Sequence, residues 1–156
     1  MTDEQRPGRL VLVAGAPGTD PHAVAQGVAA GLVRAVHLDV EALESLVVTG
    51  GVPMVDPPSP EAVEQLFLRW LAGIAVGETY QRAGFDAILS ERVAGDFLAD
   101  LLDFVDPAPL HLVVLEGDGS EGGGGSTRGL RVSPREGTPE QVARSVLTRL
   151  DEGLLG

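Results

Sequence analysis

Cysteine is absent from this 156-residue chain, which rules out both disulfides and thiolate metal sites and is compatible with a reducing cytosol. The opening residues, Met1 to Arg9, are polar and charged and lack the apolar core of a secretory signal. No apolar run approaches the roughly 20 residues of a membrane span. These absences point to a cytoplasmic protein with no membrane partner. Cations are scarce too: 11 Lys and Arg stand against 23 Asp and Glu, a net charge of −12. That excludes the clustered positive charge a nucleic-acid backbone requires, and it weighs mildly against highly anionic small ligands. No internal repeat is present.

The chain does have ample material for a core. Its 156 residues suit a single domain, and 44% of them are hydrophobic. A polar tail (1–8) precedes a buried strand at about Arg9–Ala14 and a helix from Pro21 to about Arg34, where Val24, Ala25, Val28, Ala29 and Leu32 recur at helical spacing. A short strand, Ala35–Leu38, completes a βαβ unit, which implies a parallel sheet with right-handed crossovers. A helix over Glu41–Val48 leads into a Gly- and Pro-rich loop, 49–60. Ser59 as cap and Pro60 at the first helical position open the longest helix, which runs to about Ala83 with an apolar stripe containing Leu66, Trp70 and Ile74. A third strand spans Phe85–Ser90, and a helix spans Val93–Phe104. The strongly apolar fourth strand is Leu110–Leu115, and Leu130–Val132 forms a fifth. The final helix opens with a capping box, Thr138 and Gln141, and runs to about Asp151. The expected architecture is α/β: three layers, with a five-stranded, mainly parallel sheet and helices on both faces.

The turn after the first strand organises the rest. Gly15-Ala16-Pro17-Gly18-Thr19 fits the first glycine and four spacers of the phosphate-binding pattern G-x-x-x-x-G-K-[ST], and then the match fails three times. Asp20 stands at the second glycine, Pro21 at the lysine that neutralises the β/γ-phosphates, and His22 at the hydroxyl that holds Mg²⁺. Asp followed by Pro is also a strong helix start. Asp20 is therefore expected to cap its own helix and fill the positive end that a phosphate would use. His22, alone in a first turn, is expected to be exposed.

The order and spacing of Leu10–Thr19, His37–Glu41, Gly84–Glu91, Leu110–Leu115 and Gly129–Val132 with Thr138–Gln141 resemble the chloramphenicol phosphotransferase-like small-molecule kinases of the P-loop NTPase fold. The resemblance implies that Gly15, Ala16, Pro17, Gly18 and Thr19 would cradle ATP, with Mg²⁺ as its companion ion. It implies that Asp39 would act as general base on the hydroxyl of an unknown small-molecule substrate. It also implies an arginine-bearing lid after the fourth strand, where this chain has the linker 117–128 with its run Gly122–Ser126, and Arg128 and Arg131 lie just beyond that run. A Gly-Gly-Gly-Gly-Ser run is also what an engineer inserts to replace an excised loop. With loop lysine and lid both missing, the expected function is a kinase-like domain impaired or inactive in ATP-dependent phosphoryl transfer. A non-enzymatic binding module or scaffold is the alternative.

Ligands of open parallel sheets bind beyond the carboxyl ends of the strands. There the chain places Asp20, His22, Asp39, Glu41, Glu91, Glu116 and Asp118, an acidic rim where phosphoryl transfer needs cations. Three readings stay open: oxygen ligands for a divalent cation with His22, a proton-accepting Asp39 of raised pKa, or solvated caps and loop acids. The third is preferred, and no metal site is assigned. His37 and His111 are expected to be packed or hydrogen-bonded within strands, and Trp70 to be core or pocket wall.

Overall fold

The computed structural model describes residues 7–16, 18–55, 57–92, 95–103, 109–117, 129–133 and 137–155. Residues 118–128 of the linker, with Asp118 and Arg128, and Pro17 of the first turn fall outside them.

Strand β1 (Leu10–Gly15) leads through helix α1 (Pro21–Ala30) to β2 (Ala35–Asp39), and a 3-10 helix (Val40–Leu46) then precedes the long α2 (Pro60–Arg82). Next come β3 (Asp86–Arg92), α3 (Gly95–Asp103), β4 (Leu110–Leu115), β5 (Leu130–Val132), α4 (Pro139–Thr148), a second 3-10 turn (Leu150–Gly153) and β6 (Leu154–Leu155). The strands line up as β2-β3-β1-β4-β5, all parallel, and β6 adds antiparallel to β4 at Leu110 and His111.

Side chains alternate across a strand, and this alternation divides the core in two. Leu10, Leu12, Ala14, Ala87 and Leu89 face α2 and α3, packing on Leu66, Trp70, Ile74 and Leu101. Val11, Val13, Ile88, Val113 and Leu115 face α1 and α4, packing on Val24, Val28, Val142 and Val146. The expected three-layer α/β arrangement is therefore present.

Caps explain where the helices start. Asp20, Ser59 and Thr138 each accept the amide three residues on and are each followed by proline, and Thr138 with Gln141 completes the capping box. Three boundaries differ from expectation. α1 stops at Ala30 rather than near Arg34 because Gly31 turns the chain where it meets α4: a Cβ there would overlap Leu147. Val40–Leu46 forms a 3-10 helix, not an α-helix. It is a short segment closed by i→i−3 bonds such as Val47 N–H to Glu44 O, and the β-branched Val47 and Val48 follow it. The last helix gives way at Arg149 to the turn that delivers β6 to the sheet, a sixth strand too short to carry a periodic signal. The end of the expected tail is tied down, since Gly8 N–H donates to Gln81 O (3.0 Å).

α1 and α4 approach so closely that a Cβ on Gly27 would lie 2.7 Å from Ala143 Cβ. Gly27→Ala should therefore destabilise the fold by about 1–2 kcal/mol in urea unfolding, because overpacking of 1–3 kcal/mol outweighs the gain in helix propensity of about 1 kcal/mol.

Candidate functional site

Register decides which side chains meet at the carboxyl end of the sheet. Asp39 pairs with Ser90 across β2 and β3, and Gly15 pairs with Arg92 across β1 and β3. His37, Asp39, Ser90 and Arg92 consequently share the α1 side, whereas Glu91 points to the α2 side.

The turn between β1 and α1 is closed on itself. Gly18 adopts φ +89°, a backbone that favours glycine. Thr19 is buried, and both its amide (3.1 Å) and its hydroxyl (2.6 Å) donate to Ala16 O. Ala16 N–H donates to Leu115 O (3.2 Å), and a Cβ on Gly15 would overlap Thr19 Oγ1. At the start of α1, Asp20 Oδ1 accepts Ala23 N–H (3.1 Å). The carboxylate thus satisfies one of the amides that a helix start offers to an anion.

His22 is not exposed, contrary to expectation: its side chain is 18% accessible and sits within a polar cluster. Its Nδ1 lies 2.8 Å from Ser90 Oγ and 3.3 Å from Asp39 Oδ1, and its Nε2 is buried 3.4 Å from Glu41 Oε1 without forming a hydrogen bond. Ser90, fully buried, also meets His37 Nε2 (2.8 Å), and His37 Nδ1 meets Gln26 Oε1 (2.9 Å). Gln26 Oε1 accepts, so His37 Nδ1 carries the proton. Burial lowers the His37 pKa, against the opposing pull of Asp39, and favours the neutral ring. Ser90 then donates to His37 Nε2 and accepts from His22 Nδ1–H. His37 thereby has the hydrogen-bonded role expected of it. Asp39 Oδ1 also accepts Ala42 N–H (3.2 Å), capping the 3-10 helix.

Arg92, which sequence reasoning missed, ties these parts together. Its Nε donates to Thr19 O (3.1 Å), its Nη1 to Glu41 Oε2 (3.1 Å), and its amide to Glu41 Oε1 (2.9 Å). Burial pushes the Glu41 carboxyl up, but the Arg92 amide, the His22 ring and the Arg92 guanidinium outweigh it and hold the pKa below its ordinary value.

Glu91 corrects the expected rim. It belongs to β3, is 1% exposed, and accepts from Trp70 Nε1 (3.0 Å) and from Arg69 Nη2 (3.2 Å) on α2. Trp70 is core, as expected, but with a polar anchor. The signal was available in the sequence: continuing the alternation of Ala87 and Leu89 by one step sends Glu91 toward the α2 stripe. Among the described residues, no group of three or more His, Asp or Glu is arranged to hold a metal ion, so the cation-binding reading of the rim is not supported. Glu116 forms no rim contact with these groups; its amide donates to Val132 O (2.9 Å). His111 is buried on β4, with Nδ1 lacking a hydrogen bond and Nε2 3.9 Å from Asp151 Oδ1. Burial lowers its pKa.

Comparison with solved structures identifies the architecture. A sugar kinase from Janibacter sp. superimposes with a TM-score of 0.65 at 19% identity, covering 93% of this chain and 95% of that one. The chain shares its fold with that kinase. A gluconokinase from Sinorhizobium meliloti gives a TM-score of 0.56 at 18% identity over 94% of this chain and 93% of its own. A kinase described as putative, from Chloroflexus aurantiacus, gives 0.57 at 14% identity over 95% and 98%. No protein-family model and no curated protein matches the chain. Among the described residues, no helix is long and apolar enough to cross a membrane.

Burial raises the Glu91 pKa to about 7, against the opposing pull of Arg69 and Trp70. The folded state then holds a proton that the unfolded state releases near pH 4.5, so stability falls as pH rises from about 4.5 to 7. A shift of this size is worth about 3 kcal/mol. Urea unfolding of the wild type and Glu91→Gln at pH 5 and pH 8 should show the difference between them moving toward the variant by about 2–3 kcal/mol at the higher pH.

Proposed function

We propose that this chain is a P-loop-kinase-fold domain in which ATP-dependent phosphoryl transfer to a small hydroxylated molecule is impaired or absent, leaving a ligand-binding role. The observation that carries this reading is the Asp20 carboxylate bonded to Ala23 N–H at the start of α1. At about 4 Å and the dielectric of a protein surface, two like charges repel by about 4 kcal/mol. A helix terminus returns only about 0.3–1 kcal/mol to an anion, so a phosphate beside Asp20 loses on balance.

The neighbouring positions support the same conclusion. Pro21 has no amide to offer, and Thr19 has already given its hydroxyl to Ala16 O. At the position of the Mg²⁺-binding hydroxyl, the His22 ring is engaged with Ser90 and flanked by two carboxylates. The sequence contains no lysine anywhere: all 11 of its Lys-plus-Arg residues are arginine. Arg92, the cation bonded to the turn, is held by Glu41 and Thr19 O. MgATP therefore does not fit the described residues. Asp39 keeps a position from which a carboxylate could accept a proton from a substrate hydroxyl, but the phosphoryl donor has no matching cradle. Gly15, Ala16, Gly18 and Thr19 contribute backbone shape rather than cationic charge.

Calorimetric titration of the wild type with MgATP should give no saturable heat up to millimolar concentration. The triple change Asp20→Gly, Pro21→Lys, His22→Ser should bind nucleotide while keeping a cooperative melt. Saturable ATP binding by the wild type would refute the reading. A folded triple variant that ignores ATP would refute the assignment of the loss to residues 20–22.

A further inference from the structure

A cavity of about 420 Å³ opens between the 3-10 helix, the segment 47–54 and α2. None of the residues 15–20 lines it. Its walls are apolar: Leu43, Leu46, Val47, Val52, Met54 and Leu66. Several of these are unusually bare, with Leu46 at 68% exposure and Val47 at 46%. Apolar surface concentrated in a concavity marks a binding site rather than scattered surface chance. The volume falls within the range of about 300–1,000 Å³ typical of small-molecule pockets.

The wall is built in place. Gln65 on α2 accepts Val52 N–H (2.8 Å) with its carbonyl and donates its amide to Gly50 O (2.9 Å), fastening the loop over the helix. This uses the amide at both ends. Arg69, also in the wall, is committed to Glu91. Glu44 is the remaining polar side chain of the lining. A polyol needs many donors and acceptors around it, and an anion needs an uncommitted cation; the lining supplies neither.

We propose that this cavity binds an uncharged, largely apolar small molecule, and not a sugar or sugar acid. The proposal stands on the cavity alone and its test uses no nucleotide, so it can fail independently of the reading of the phosphate turn.

The probe is N-phenyl-1-naphthylamine, an uncharged biaryl amine whose fluorescence rises on leaving water, titrated into the full chain. Saturable binding at one site is expected. Val47→Asp and Met54→Asp alter exposed positions in the wall and should each weaken binding about tenfold or more, with the melting temperature little changed. Leu71→Asp, on α2 but outside the cavity and 45% exposed, should leave affinity unchanged. Glucose and gluconate at millimolar concentration should not displace the probe. Affinity unaltered in both wall variants, or displacement by either sugar, would overturn the proposal. So would sedimentation equilibrium showing a dimer that Val47→Asp dissociates, because a second copy would then be the occupant.

Discussion

Everything at the carboxyl end of this sheet depends on the pleat of β3. Ser90 and Glu91 are adjacent in sequence and buried, so the alternation of the strand sends them into opposite layers. A buried polar group without a partner costs about 1–3 kcal/mol, so each layer must supply partners. On the α2 side these are Arg69 and Trp70, gathered on the carboxylate. On the α1 side they are two imidazoles sharing one hydroxyl. The hydrophobic layers set the spacing of the helices, but these two polar knots fix where α1 and α2 sit along the strand.

The knot on the α1 side is continuous with the contacts that close the turn after β1. Asp20, Thr19 and Arg92 hold that turn from within: a carboxylate on the helix amide, a hydroxyl on the turn carbonyl, and a guanidinium bridging the turn to Glu41. Glu41 is paired with Arg92, and the cluster continues from Glu41 through His22 and Ser90 to His37 and Gln26.

Much of the fold was legible in the sequence, because the signals there are local and strong. Asp-Pro, Ser-Pro and Thr-Pro mark three helix starts, and apolar runs mark the parallel strands. Asp20 as a cap followed from residue chemistry alone. What was not legible required knowing which residue faces which. His22 reads as solvated until register brings Ser90 and Asp39 beside it, and Arg92 belongs to no motif. Glu91 reads as a loop acid because the expected strand stops at Ser90, two residues short of the end of β3. β6 has two residues and no period to read, and the 3-10 helix differs from an α-helix in bonding pattern rather than composition.

The near contact of α1 and α4 bears on how such a sequence can change over time. Gly27 and Ala143 share room for one methyl group. Placing alanine first at position 27 passes through an overcrowded intermediate, whereas trimming position 143 to glycine first leaves only a small void. The two routes end at the same pair of residues, yet only one avoids the clash, so the packing of these helices imposes a direction on the order in which neighbouring substitutions can accumulate.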